Sequence, residues 1–384
     1  MSRIVRKTVV TMLALILILT FTPVCAVQAA EEEQPVVSAH SAIVINADTG
    51  TVVFEKNPLE RRAMASTTKI MSALLTLEAG NLDRRFTVDS MAIRVEGSSM
   101  GLREGDIVTR RVLAAGMLLP SGNDASQAAA VNVSGSIPEF VKLMNERAEQ
   151  LGMKDTRFAN PSGLDASGHY STAYDLALLT AYVMKNSEFA ALTSEQALRV
   201  EFGNPPFPRW LYNNNKLLYM YEGTIGTKTG FTDNARRCLV SAARRNGITL
   251  ITVTLSAHDD WNDHIKMFDY GFSVVKSQSV DYDLSDFYVN IAGGERDRAA
   301  VKLAEIPVLP LTDEEMRLVE IRTAIIPFIY AGFNEGEQVG LLELYYDGRL
   351  LKTVPLVTAE ACESPTEKLT LAAGFVQFWR RSLF

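Results

Sequence analysis

The chain has 384 residues, 22% of them charged and 47% hydrophobic. Those proportions belong to a folded globular protein and exclude disorder, a collagen-like repeat and a multi-span membrane protein. A formal net charge of −7 and the lack of any long Lys/Arg run argue against nucleic acid as a partner, and the length suits two domains.

Residues 1–29 read as a secretory signal peptide. Arg3, Arg6 and Lys7 form a basic start, no charge follows from Thr8 to Ala30, and Pro23 interrupts the apolar run. The expected cut falls after Ala29, with Val27 and Ala29 small enough for the −3 and −1 positions. An uncleaved membrane anchor is the rival reading, and Thr22-Pro23-Val24 before Cys25 makes a poor lipidation box. Losing the three cations lowers the basic count from 38 to 35 against 45 acidic residues, a net of −10. Cys238 and Cys362 then remain, far apart in sequence, and are expected as two buried thiols in different domains.

Ser41 to Lys56 alternates apolar and polar residues around Asp48-Thr49-Gly50, which predicts a hairpin. A helix is expected from about Ser66, with Gly80 as its stop. Arg111 to Leu119 and Asp124 to Ala130 read as helices broken by Pro120-Ser121-Gly122-Asn123, and Ile137 to Leu151 and Thr172 to Met184 as two more. Gly226 to Thr232, Cys238 to Ala243 and Ile248 to Leu255 read as strands. Strands at both ends of a helical block predict one sheet assembled from distant segments. From 276 to 363 short alternating runs recur, as in FYVNIAG and LLKTVPLVT, and predict a small β domain. Residues 366–384 form an amphipathic pattern. On a helix, Thr370, Gly374, Gln377 and Arg381 make a narrow polar stripe beside a broad face with Phe375, Phe378 and Trp379. Such a segment suits an anionic membrane surface and is too short to span the bilayer.

Three short motifs bear on chemistry. Ser66-Thr67-Thr68-Lys69 puts a hydroxyl and an amine one turn apart on a helix face. A serine becomes a useful nucleophile when a base takes its proton, and lysine is such a base once burial or a nearby cation lowers its pKa. Ser121-Gly122-Asn123 offers a second hydroxyl for proton relay and a carboxamide for a substrate amide. Lys228-Thr229-Gly230 offers a cation and a hydroxyl for a substrate carboxylate on a strand edge that an extended peptide can join. Gly230 lets a ligand approach the backbone closely. Each motif is weak alone; in this order, in an exported chain, they support one another.

Together they resemble the low-molecular-mass penicillin-binding proteins that are serine D-alanyl-D-alanine carboxypeptidases. The resemblance runs through SAIVINADTGTVVFEKN, ASTTKIM, PSGNDAS, NPSGLDASGHYSTAYDLA and GTKTGFT to the β-rich end, and RRAMASTTKIM and DDWNDH lean toward the sporulation-associated branch. It implies an α+β fold: a β-lactamase/transpeptidase-like catalytic domain at 36–275, with helices packed on an antiparallel sheet, then an all-β domain at 276–363 and a membrane-anchoring helix at 366–384. It implies that Ser66 attacks the penultimate D-alanine carbonyl of peptidoglycan stem peptides, or the ring of a β-lactam. Lys69 would be the base, Ser121 the proton shuttle and Asn123 a substrate ligand. Lys228 and Thr229 would bind the terminal carboxylate, and the N–H groups of Ser66 and Phe231 would form the oxyanion hole. Water would release the shortened peptide, with no cofactor and no metal. A β-lactamase or a DD-endopeptidase on the same scaffold is the alternative. A silent wall-binding protein need not keep an activated nucleophile.

Three other signals are set aside. Gly97-Ser98-Ser99-Met100-Gly101 matches the G-x-S-x-G elbow but is followed by a turn, so a loop beside the site is expected. His258 to His264 fits an acidic helix start better than a metal cluster. His169, in a glycine-rich turn, is expected to be structural.

Overall fold

A computed structural model describes residues 33–363. The expected signal segment at 1–29 and the amphipathic segment at 366–384 lie outside them. The first hairpin forms as expected, with Ser41–Asn46 antiparallel to Val52–Lys56. It joins three later strands in one antiparallel sheet, ordered Val52–Lys56, Ser41–Asn46, Ile248–Ala257, Arg236–Arg245, Thr224–Thr232. Alternation along the first strand explains the layering, because successive side chains face opposite sides of a sheet. Ile43 and Ile45 enter the core shared with the helical block between the two strand groups. Ala42 and Val44 pack with Met267 and Phe268 of the helix Asp260–Val274 on the other face.

The helices match the expected pattern closely. Lys69–Glu78 is buried at nine of its ten positions, so it runs through the middle of the core. Arg110–Leu118 and Asn123–Ser134 are separated by the Pro120 break, and Ile137–Gln150 and Ala173–Val183 follow. Thr109, Ser136 and Thr172 cap three of these helices with side-chain oxygens, satisfying N–H groups that a helix start leaves unpaired. Two features were not legible. Ser187–Ser194 is a short extra helix, and Ala197–Gly203 pairs with Pro206–Tyr212 in a projecting hairpin.

Beyond residue 276 the chain is β-rich. A six-stranded sheet runs in the order Glu320–Ile325, Gln338–Tyr346, Arg349–Thr358, Arg298–Leu303, Tyr288–Ala292, Phe328–Tyr330. Its own core includes Val289, Val301, Leu342, Leu344 and Leu356. Arg349 Nη1 donates to Thr49 O at 2.8 Å, tying the sheet to the first hairpin, and Asn46 Nδ2 donates to Pro310 O at 2.7 Å in the separate strand pair of Val308–Leu311 with Lys276–Ser279. Cys238 and Cys362 are both buried and unbridged, the former in the central sheet and the latter in this β region.

Candidate active site

Ser66 lies in a tight 3-10 turn, Ala65–Thr68, that leads directly into Lys69–Glu78. Ala65 has φ +48°, a left-handed conformation that L residues adopt at a cost of about 1–3 kcal/mol. The turn is held from within, Thr67 Oγ1 donating to Met64 O at 2.6 Å and Thr68 Oγ1 to Ala65 O at 2.8 Å. Having spent its proton there, the Thr68 hydroxyl accepts from His169 Nε2 at 2.7 Å. His169 Nδ1 in turn accepts from the Ala159 N–H at 2.9 Å. These partners require a neutral imidazole, and burial does push His169 down to about 4. His169 thus braces the nucleophile turn, as its sequence context suggested.

Lys69 is fully buried. Its Nζ is 2.8 Å from Ser66 Oγ, 2.7 Å from Asn123 Oδ1 and 2.6 Å from Ser162 O. Burial holds its pKa well below the ordinary lysine value, the Lys228 charge adds to that, and Asp124 opposes it. A neutral amine has two N–H donors and one lone pair. The two carbonyl acceptors take the donors, which leaves the lone pair for the Ser66 hydroxyl proton.

Asn123 opens its helix, and its side chain is committed at both ends. Oδ1 accepts from Lys69, and Nδ2 donates to Glu96 O at 2.6 Å. Beside the substrate contact expected from the sequence, Asn123 therefore holds Lys69. Ser121, with φ +65°, does reach the cavity wall. Next to it, buried Asp124 accepts from Ser99 Oγ at 2.6 Å and from the N–H groups of Met100, Gly101 and Leu102 at 2.9–3.1 Å. A single carboxylate therefore organises the 97–102 segment. That segment is a loop, with no strand before it and no helix after it, so it is not a nucleophile elbow.

The strand Thr224–Thr232 forms the opposite wall and is the outer strand of the sheet. A Cβ at Gly230 would lie 3.0 Å from Ser66 N and 3.1 Å from both Ala65 Cβ and Met64 O. Glycine is required there because the strand runs flat against the nucleophile turn. A cavity of about 360 Å³ opens between the walls, lined by Ser66, Ser98, Ser121, Thr229, Gly230 and Phe231 together with Asn214, Lys216, Arg237, Asp260 and Trp261. Lys228 sits behind this lining, fully buried, its Nζ donating to Thr229 O at 2.8 Å. Burial pushes its pKa down to about 7. The cations on the cavity surface are Lys216 and Arg237, the latter held by Asp260 through Nε at 2.8 Å and Nη2 at 2.6 Å.

Sequence reasoning included Asn160-Pro161-Ser162-Gly163 in the resemblance but gave the turn no role at the site. Asn160 Oδ1 gathers Ser162 N, Ser162 Oγ and Gly163 N, at 2.7–3.1 Å. A Cβ on Gly163 would fall 1.9 Å from Ala65 O, so the turn is moulded to the nucleophile. An Asn-Pro-Ser-Gly run is a readable turn signal, but nothing local shows what it touches. In this segment Asp263 accepts from Ser38 N and Oγ, Asp260 accepts from Arg237, and His264 turns inward. It lies buried between Thr252 Oγ1 at 2.7 Å and Thr254 Oγ1 at 3.0 Å, and no cluster able to hold a metal occurs among the described residues.

A serine facing a buried lysine amine, in a cleft between a helical block and a strand edge, defines a serine acyl-transfer enzyme of the Ser–Lys type. The chain belongs to the D-alanyl-D-alanine carboxypeptidase family, whose model matches residues 28–259. The C-terminal domain of penicillin-binding protein 5 matches residues 273–364. The carboxypeptidase DacF of Bacillus subtilis is 34% identical, covering 97% of both chains. The D-alanyl-D-alanine endopeptidase of Escherichia coli is 31% identical over 64% of this chain and 81% of its own. A Streptomyces DD-transpeptidase crystal structure superposes with a TM-score of 0.60 at 34% identity, covering 63% of this chain and all of that one.

Proposed function

We propose that this protein removes the terminal D-alanine from peptidoglycan stem pentapeptides. The observation that carries the reading is the placement of Lys69 Nζ, 2.8 Å from Ser66 Oγ with its two N–H donors matched by carbonyl acceptors. Ser66 Oγ attacks the carbonyl carbon of the penultimate D-alanine as Lys69 takes the hydroxyl proton. The backbone N–H groups of Ser66 and Phe231 receive the oxyanion; one such donor is typically worth about 10²–10³ in rate. The C–N bond then breaks, and Ser121 passes the proton to the departing amine. Thr229 and the Asp260-bound Arg237 face the terminal carboxylate from the cavity surface, and Lys228 adds positive potential from behind. Water, deprotonated by Lys69, hydrolyses the ester and restores Ser66. Penicillin, which mimics the D-Ala-D-Ala end, acylates the same hydroxyl.

D-alanine release from a soluble stem pentapeptide tests the reading. Multiple turnovers by the wild type and none by Ser66→Ala are expected, and no release by folded wild-type protein overturns it. A second reading, cleavage of cross-bridges, draws on the similarity to an endopeptidase; cross-linked muropeptides cut in preference to pentapeptide would favour it. We also infer export through residues 1–29 and peripheral attachment to the outer face of the cytoplasmic membrane through residues 366–384. Among the described residues no helix is long and apolar enough to cross a membrane. Loss of membrane association on removal of 366–384 is the expected outcome of fractionation; unchanged association contradicts it.

A further inference from the structure

We propose a second, anion-binding site at the far end of the nucleophile helix, suited to a phosphate mono- or diester. A pocket of about 280 Å³ is lined there by Asn81, Arg84, Arg85, Phe86, Arg110 and Asn132. It lies beyond the C-terminus of Lys69–Glu78, so the helix's length of about 15 Å separates it from the Ser66 turn. No run of cations announces it: Arg84 and Arg85 meet Arg110 only in the fold.

The charge balance of the pocket singles it out. Arg110 is half-buried, yet all its partners are neutral: Nε donates to Asn132 Oδ1 at 2.8 Å, and Nη1 to Ala79 O and Gly80 O at 2.7 and 2.9 Å. Its Nη2 has no partner among the described residues. The acids nearby are taken by Arg111, which binds Asp83 through two hydrogen bonds of 2.8 and 3.0 Å and also pairs with Glu188. Arg84 and Arg85 form no ion pair among the described residues and are exposed. Because Asn132 Oδ1 is spent on Arg110, its NH₂ end is the one left to donate. The pocket therefore carries three guanidinium charges with no acid paired to them among the described residues, and Arg84, Arg85, Arg110 Nη2 and the Asn132 NH₂ remain to donate, in a chain of net −7. Guanidinium forks match phosphate oxygens in pairs, and a charge-assisted contact of this kind is stronger than a neutral one. The site is separate from the catalytic cavity and stands whether or not the carboxypeptidase reading holds.

The test titrates the protein with inorganic phosphate at constant ionic strength, alongside glycerol 3-phosphate, bis(glycerol) phosphate, acetate and chloride. A saturable rise in Tm with phosphate, little with acetate or chloride, is expected. The Arg84→Gln/Arg85→Gln variant, altered only at exposed side chains, should bind about tenfold more weakly while its D-alanine release without phosphate stays at the wild-type rate. Response to the diester as well as the monoesters identifies a phosphodiester chain as the source; response to monoesters alone identifies a small phosphate ligand. The side-chain amide resonances of Asn81 and Asn132 in wild-type protein provide a readout independent of any variant, and they should shift with phosphate. Absence of saturable binding, an equal response to acetate, or a double variant that binds like wild type overturns the proposal.

Discussion

Replacing Asn123 by Asp isolates the proposed role of Lys69. The change is nearly isosteric and keeps an oxygen 2.7 Å from Lys69 Nζ, but that oxygen now carries negative charge. At an effective dielectric near 20, a unit charge at that distance attracts the ammonium form by about 6 kcal/mol. Desolvation of the new carboxylate takes back part of this, so about 3–4 kcal/mol is a sensible working figure. The neutral amine needed to accept the Ser66 proton then becomes rarer at every pH below the raised pKa, by at most about 10²–10³. The new charge stabilises protonated Lys69, so its pKa rises and the acid limb of the activity profile moves to higher pH. The assay is the second-order rate of acylation by a fluorescent penicillin, measured from pH 6 to 10. Asn123→Asp should be slowed most at the acid end, by up to about 10²–10³-fold, and recover as pH rises. Asn123→Ala removes the acceptor without adding charge, so its pH profile should move far less. An Asn123→Asp enzyme whose acid limb does not move to higher pH would refute Lys69 as the base.

Gly230→Ala should be inactive out of proportion to its stability loss. Its Cβ would press on Ser66 N and Met64 O at 3.0–3.1 Å, costing about 1–3 kcal/mol and displacing the nucleophile turn; a normal acylation rate argues against the packing. Asp124→Asn replaces one acceptor oxygen facing the 97–102 loop with a donor, which should cost about 2–3 kcal/mol in urea unfolding and slow acylation, whereas unchanged stability contradicts the loop-organising role. The two buried histidines make stability fall with acid. In the folded chain His264 and His169 protonate only near 3 and 4, whereas the unfolded chain takes up those protons near 6.5. Between these values the unfolded state binds more protons, so each histidine removes about 1.4 kcal/mol per pH unit as pH drops. His264→Gln should flatten the slope from pH 6 to 4, and an unaltered slope contradicts a neutral His264.

What could be read from the sequence was whatever depends on local spacing. Ser66 and Lys69 are one helical turn apart by construction, and the alternation of Ser41 to Lys56 forces a hairpin. Pro120 and Gly122 mark the break between Arg110–Leu118 and Asn123–Ser134. What could not be read depends on distant meetings. Ser162 comes to Lys69 across 93 residues of chain, and its role is played by a backbone carbonyl that no side-chain pattern encodes. Asn123 comes from a legible helix break, but its amide direction depends on Glu96 O, which arrives on another loop. The Pro206–Tyr212 strand was hidden by Pro206 and Pro208, which argue against a strand when read alone. It stands as one half of a two-stranded hairpin, fastened by Arg209 Nη1 to Gly101 O at 2.7 Å. The Arg84, Arg85 and Arg110 cluster escaped for the same reason.

The covalent intermediate provides the most direct test. Wild-type protein and Ser66→Ala would be incubated with benzylpenicillin, then analysed by intact and peptide mass spectrometry. A single adduct of one whole penicillin on Ser66, absent from the variant and slow to form in Lys69→Ala, is the expected result. An adduct on any other residue, or D-alanine release by a folded enzyme that never forms an ester at Ser66, would contradict the Ser66–Lys69 mechanism.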